Sequence, residues 1–182
     1  MDETAGKTVP AWPPWVTLVT RVVIGAALLI AGLLKIGNLR QSVAAVAAYQ
    51  LPIPDWMVTA MGNALPIFEI VIGLALVAGV FTRWVAVIGT LTMIAYIIGI
   101  SSAWARGLNI DCGCFTPGGA LQPGQSTAYL EDILRDIVFL ICGVWTVLRP
   151  DSMFSVDRWI AGPAQAPESE PEPTAATSRR TR

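Results

Sequence analysis

Apolar residues fall in four long blocks, each near the roughly 20 residues needed to cross a hydrocarbon core. From Trp15 to Leu34 the chain is apolar apart from Thr17, Thr20 and Arg21, which predicts a first membrane helix. Gly25 with Gly32, and Ala27 with Ala31, give that helix small-residue spacings that let a neighbour approach closely. Lys35 ends it. Leu39, Val43, Val46, Ala47 and Gln50 then follow a helical period, with Arg40, Gln41 and Ser42 on the other side. That is the pattern of a short helix lying at the interface. Pro52 and Pro54 each push the preceding residue out of the α region and break the helix. A second span runs from about Trp56 to Phe81; Pro66 should kink it, and Glu69 should face the interior of a bundle. Only Thr82 and Arg83 separate it from a third span, Trp84 to about Ala105, so the two form a tight antiparallel hairpin. Residues 106–128 are a loop rich in Gly, Pro, Gln and Ser. A fourth span from about Tyr129 to Leu148 is stopped by Arg149 and Pro150.

These elements predict an all-α fold: an integral membrane four-helix bundle over residues 15–150, with a short interfacial helix and a cysteine-bearing external loop. Residues 1–14 are polar and proline-bearing, lack a signal-peptide pattern, and read as a disordered tail. Residues 151–182 read as a second disordered tail: Gly162 to Arg182 is Pro, Ala, Glu, Ser and Arg with almost nothing apolar, too little to offset the entropy of ordering. No fixed-period repeat points to a solenoid or an inverted-repeat transporter.

Composition supports the membrane assignment: 54% of the 182 residues are hydrophobic and 14% charged, against about 25% charged in an ordinary soluble domain. The lipid bilayer is the first partner. A formal net charge of −1 without a basic cluster argues against nucleic acid. The chain has no histidine, which excludes Ser-His and Cys-His catalysis and every His-ligated metal or haem site. Its three cysteines cannot complete a four-cysteine zinc site, so no metal is expected.

What remains is thiol, carboxylate and cation chemistry, and it centres on Asp111-Cys112-Gly113-Cys114-Phe115. Cysteines one residue apart bridge only if the backbone turns tightly, which the intervening glycine permits. So small a ring is strained and passes its oxidation on readily, while as a staple it would add little loop entropy. A redox-active pair is the favoured reading; a structural disulfide, free buried thiols, a metal site and lipidation stay open beside it. Asp111 should raise a neighbouring thiol pKa, whereas Arg106 or the start of the fourth helix could lower it. Which cysteine attacks is undecided by sequence. Cys142, inside the fourth span, reads as a small apolar residue.

With an even number of spans the termini share one side. Lys7, Arg83, Arg149 and Arg158 lie near the membrane on that side and Lys35, Arg40 and Arg106 on the other, which favours cytoplasmic termini. The thiol loop then lies outside the cytoplasm, where disulfides persist. At about 1.5 Å per residue, Arg21 comes roughly 9 Å deep, Glu69 and Tyr96 roughly 18 Å, and Arg135 and Asp136 roughly 18 to 20 Å. Pairing among Arg21, Glu69, Arg135 and Asp136 is expected, since lone charges in hydrocarbon are costly. Such a layer is either a structural network or a polar pocket beneath the thiols that holds a quinone head group or relays protons.

The Ala31-Gly32-Leu33-Leu34-Lys35 end of the first helix, the Leu65-Pro66-Ile67-Phe68-Glu69 stretch with Gly73, the Asp111–Phe115 motif and the Arg135-Asp136 pair resemble the MauE family of methylamine utilisation proteins, within the DoxX-like membrane proteins. The Asp-Cys-Gly-Cys-Phe motif is the specific piece. The resemblance implies a redox-associated membrane protein that works with a thioredoxin-fold partner in forming disulfides outside the cytoplasm, and for MauE the maturation of the disulfide-rich small subunit of methylamine dehydrogenase. Cys112 and Cys114 are then the catalytic thiols of a membrane thiol–disulfide oxidoreductase. A membrane quinone is a candidate electron sink by analogy with DsbB and vitamin K epoxide reductase. The alternative is a non-enzymatic anchor or assembly subunit whose cysteines only brace the loop.

Overall fold

The computed structural model describes residues 14–150 except 117 and 123–124, together with residue 156. The tails expected at 1–14 and 151–182 lie almost entirely outside the described residues. Five helices and one minimal hairpin make up the rest: α1 (Pro14–Ile36), α2 (Leu39–Ala48), α3 (Asp55–Ala78), α4 (Thr82–Ala105), β1 (Ile110–Asp111), β2 (Gly119–Ala120) and α5 (Tyr129–Leu148).

Each boundary has a local cause. Pro14 opens α1, where its missing N–H is one that a first turn leaves unbonded anyway. The Asn38 side chain accepts from the Gln41 backbone N–H and starts α2. α3 ends at Gly79 in the left-handed conformation, with its N–H turned back on the Ala75 and Leu76 carbonyls. Pro66 does not end α3, which continues through it for 24 residues with that proline buried. Glu131 and Asp132 stand in the first turn of α5, where carboxylates favour the positive end of the helix dipole.

Among the described residues three helices, α1, α3 and α4, are long and apolar enough to cross a membrane. The fourth expected span forms as the 20-residue α5, but Glu131, Asp132, Arg135 and Asp136 all fall in its first half, and it does not meet the same standard of apolarity. Large apolar side chains remain exposed along the outer faces, among them Val71, Leu91, Ile98 and Ile141. In water such a surface would be a liability; in a bilayer it faces lipid tails. Trp15, Trp56, Trp84 and Trp104 are exposed at helix ends, the level of the aromatic belt.

α1 packs along α3, α4 along α5, and α1 against α5, while the contact between α3 and α4 is sparse. The α1–α3 crossing depends on missing side chains: a Cβ on Gly73 would lie 2.6 Å from the Leu29 backbone nitrogen and 2.7 Å from the Gly25 carbonyl oxygen. Ile24, Leu28, Ile72, Leu76, Ala86 and Met93 form the main core, and Cys142 packs against its edge. A second cluster, Ile100, Ala103, Ile110 and Tyr129, fastens the loop between α4 and α5 to the helix ends.

That loop is docked more firmly than its composition suggests. β1 and β2 pair antiparallel with Ile110 opposite Ala120 and Asp111 opposite Gly119. The Tyr129 hydroxyl accepts from the Ile110 N–H at 3.1 Å and donates to the Leu108 carbonyl. From below, α2 serves as a platform: Gln41 Nε2 donates to the Gly118 carbonyl at 2.9 Å and the Tyr49 hydroxyl to the Cys112 carbonyl at 3.2 Å. Arg106 closes the far end of α2 by donating to the Tyr49 and Gln50 carbonyls at 2.7 and 3.1 Å.

Candidate functional site

The two thiols sit on a turn that requires glycine. Gly113 has φ +73°, a conformation that costs other residues roughly 1–2 kcal/mol. A Cβ there would also stand 3.1 Å from Gly118 Cα. The turn is pinned at its start by Asp111, whose Oδ1 accepts from the Gly113 N–H at 2.9 Å and from the Thr116 hydroxyl. It folds the Cys114 N–H back onto Cys112 Sγ at 3.4 Å. Cys112, Cys114 and Cys142 are unbridged thiols; Cys112 is half-buried, Cys114 buried.

Two unequal thiols result. The hydrogen bond that the Cys114 thiol offers draws the Cys112 thiol below its ordinary range; the Cys114 N–H and Arg135 act in the same direction, against desolvation and the charge of Asp132. Cys114 is held well above its ordinary range, first by the hydrogen bond it gives to Cys112 and then by burial. Arg135 is the cation concerned. Its Nη2 lies 3.7 Å from Cys112 Sγ, its guanidinium stacks 4.8 Å over the Phe115 ring, and Asp132 and Asp136 hold it at 2.9 and 3.3 Å. The cations and dipoles named from sequence were Arg106 and the start of the fourth helix; Arg106 is committed to the end of α2 instead, and the contact comes from one and a half turns inside α5. Asp111 spends an oxygen on the turn.

Below the thiols lie two groups of buried charge. In the first, Lys35 Nζ donates to both oxygens of Glu69 at 2.8 and 2.9 Å, and the Tyr96 hydroxyl donates to Glu69 Oε1. Glu69 is completely buried, so this pairing offsets a desolvation cost of several kcal/mol. The second is Arg135 with Asp132 and Asp136. Asp136 is 1% exposed and its Oδ2 has no hydrogen-bond partner among the described residues. It borders a void of about 10 Å³ shared with Tyr96, Cys114 and Phe115, space for about one water. Arg21 is also buried, with its Nη2 3.5 Å from the Val77 carbonyl near the end of α3.

A cavity of about 720 Å³ opens beside the pair, bounded by α2, α3 and α4 and by Cys112, Gly113 and Cys114. Lys35, Tyr49 and Tyr96 reach its wall near the thiols; the remainder is almost wholly apolar. Among the described residues no group of three His, Cys, Asp or Glu side chains could hold a metal ion.

The family model for the methylamine utilisation protein MauE matches residues 13–149, from the start of α1 to the end of α5. The chain belongs to the MauE family. No curated protein and no solved structure matches it. Family and apolar helices together make it a membrane protein related to methylamine utilisation.

In this MauE-family chain the structure brings Cys114, Tyr96 and Asp136 around one small void, with Cys112 and Arg135 in contact beside Cys114 and Asp136 and Glu69 bonded to Tyr96. The ion partner of Glu69 is Lys35, where Arg21 or Arg135 was expected; Lys35 reads as the residue that ends α1, and its long side chain reaches a residue 34 positions downstream on α3. Three other contributors went unnamed. Tyr49 carries the Cys112 carbonyl, Asp132 braces Arg135, and Thr116 braces Asp111. Asp132 had a signal, its place one helical turn before Arg135; the other two had none.

Proposed function

We propose that this protein is a membrane thiol–disulfide redox protein in which Cys112 and Cys114 exchange a disulfide with a thioredoxin-fold partner outside the cytoplasm. α5 acts as the fourth span, with Asp136 buried, Asp132 and Arg135 paired and half-buried beside it, and Glu131 exposed in its first turn, and with both termini cytoplasmic. The observation that carries the reading is the asymmetry of the pair: a half-buried Cys112 thiol beside the Arg135 guanidinium and a buried Cys114 thiol directly behind it.

Thiol–disulfide exchange proceeds through a mixed disulfide, and the sulfur with the lower pKa leaves faster. In the disulfide-donating direction, a thiolate of the partner attacks the accessible sulfur of Cys112. The Cys112–Cys114 bond breaks, and Cys114 takes a proton as it becomes a thiol. The partner's second thiolate then attacks its own sulfur in the mixed disulfide and expels Cys112 as a thiolate, which Arg135 and the Cys114 hydrogen bond stabilise. Two thiols of the partner are oxidised and one disulfide is reduced. Buttressing by Asp111, Gly113 and Tyr49 keeps the turn in place through both steps.

Cys114→Ser has no disulfide to donate, but its Cys112 thiolate can still attack the disulfide of the oxidised partner, and the Cys114 sulfur that would then expel the partner is gone. The variant should accumulate a mixed disulfide, visible as a higher band on non-reducing gels and lost on reduction, whereas Cys112→Ser should not. Full biological activity of both serine variants, with no mixed disulfide in either, would instead favour cysteines that only brace the loop.

A further inference from the structure

The pair must pass its electrons onward if it is to act more than once, and the cavity beside it has the shape and chemistry for a particular acceptor. At about 720 Å³ it lies within the 300–1,000 Å³ range of small-molecule sites. Both cysteines form part of its wall. Its other lining includes Met61, Phe68, Leu91 and Ile98, which are also exposed on the outer faces of α3 and α4. Both helices are long and apolar enough to span a bilayer, and their mutual contact is sparse. The cavity therefore opens sideways, toward lipid.

The ammonium and phenol groups of the lining stand with the thiols, and Ser42, Thr92 and Ser102 add hydroxyls elsewhere. Lys35 Nζ has three N–H donors, and its hydrogen bonds among the described residues go to the two oxygens of Glu69, which leaves one for a carbonyl oxygen in the cavity. Tyr49 and Tyr96 flank it. An acyl chain needs an apolar slot alone and gains nothing from two thiols and an ammonium group at its end. A flat carbonyl-bearing ring on an apolar tail satisfies both ends.

We propose that this cavity binds the ring of a lipid-soluble quinone, which enters between α3 and α4 and oxidises Cys112 and Cys114 to their disulfide. Two S–H bonds break and one S–S bond forms. The two electrons and two protons pass to the quinone, whose two carbonyls become the hydroxyls of a hydroquinone. The inference rests on the pair being redox-active, as proposed above.

The test uses the full chain, reduced and reconstituted in lipid nanodiscs, with decylubiquinone, whose fully substituted ring resists thiol addition. Quinone absorbance is followed together with the loss of maleimide-reactive thiols at Cys112 and Cys114. Wild type should consume quinone in proportion to the disulfide formed. Ala95→Phe, which places a ring in the cavity, should slow this at least about tenfold, equivalent to about 1.4 kcal/mol. Oxidation of the same variant by glutathione disulfide should stay within about twofold of wild type, showing an intact and accessible pair; Ile98→Trp at the mouth provides a second blocking variant should the first fail to fold. Equal quinone rates in wild type and both folded variants would overturn the site. Thiols that respond to glutathione disulfide but never to quinone would also overturn it while leaving the redox reading standing. Thiols inert to both oxidants would remove the redox reading itself. An azidoquinone that labels the cavity of the Cys112→Ser, Cys114→Ser double variant but is displaced equally well by a phospholipid would mark an acyl-chain slot and count against the proposal.

Discussion

Replacing Arg135 with methionine keeps most of the side chain's bulk and removes the cation nearest Cys112. At the observed 3.7 Å, a unit charge and a thiolate attract by about 4 kcal/mol at an effective dielectric constant of about 20. Asp132 and Asp136, which hold the guanidinium at 2.9 and 3.3 Å, stay when it goes, and the charge of Asp132 itself raises the Cys112 pKa, so they do not compensate for the lost attraction. Loss of the cation therefore raises the Cys112 pKa, by less than the full attraction because the guanidinium is part-exposed and water screens it. The consequence for rate is smaller than for charge. Well below the pKa, for each tenfold fall in the thiolate fraction each thiolate becomes roughly threefold more nucleophilic for a Brønsted slope of about 0.4–0.5, so alkylation slows only about threefold. Well above the pKa the order reverses and the variant reacts faster. The assay is the pH profile of iodoacetamide labelling of the reduced protein in nanodiscs, read by peptide mass at Cys112. A crossing of the two profiles is the expected result, with Arg135→Lys between them. A Cys112 midpoint that stays put, or moves down, on loss of Arg135 would refute the electrostatic account of the pair.

Glu69→Gln leaves the Lys35 ammonium buried beside a neutral amide, and should lower stability by about 3–5 kcal/mol, the usual cost of breaking a buried pair; the double variant Glu69→Leu, Lys35→Met should recover most of the loss of Tm measured in detergent. Gly113→Ala forces a side chain into the left-handed region and toward Gly118, at about 1–2 kcal/mol. The cost should appear as a disturbed thiol pair, with Cys112 labelling shifted toward ordinary thiol pH, more than as global unfolding. Gly73→Val drives branched carbons into the α1 backbone and should destabilise by about 1–3 kcal/mol or more, seen as a lower midpoint in detergent-induced unfolding, whereas Gly37→Ala, with open space around it, should change little.

The helices were legible because their signals are local and long. Runs of some twenty apolar residues and the stops at Lys35, Thr82 and Arg149 place α1, α3, α4 and α5 to within a few residues, and the 3.6-residue period places α2. The importance of Cys112 and Cys114 was legible from spacing alone, although their electrostatics were not. The cation on Cys112 comes from Arg135, 23 residues downstream, and nothing nearby in sequence distinguishes it from Arg106, which turns to α2. The β1–β2 pair escaped because two residues per strand cannot show an alternation. Lys35 escaped because a lysine at the end of a membrane helix usually snorkels outward; here a buried carboxylate one helix away draws it inward. The pocket expected beneath the thiols was read as polar from its charges, whereas the cavity beside them is largely apolar, because it is the space between α3 and α4 alongside α2.

The central claim, that Cys112 and Cys114 turn over, is tested most directly in living cells by acid quenching and labelling with a mass-adding maleimide, in wild type and in the Cys112→Ser and Cys114→Ser forms, while oxidant supply is raised and withdrawn. The account predicts that the wild-type pair moves between reduced and oxidised bands as supply changes and that the single variants cannot. A wild-type pair locked in one state under every condition would contradict it.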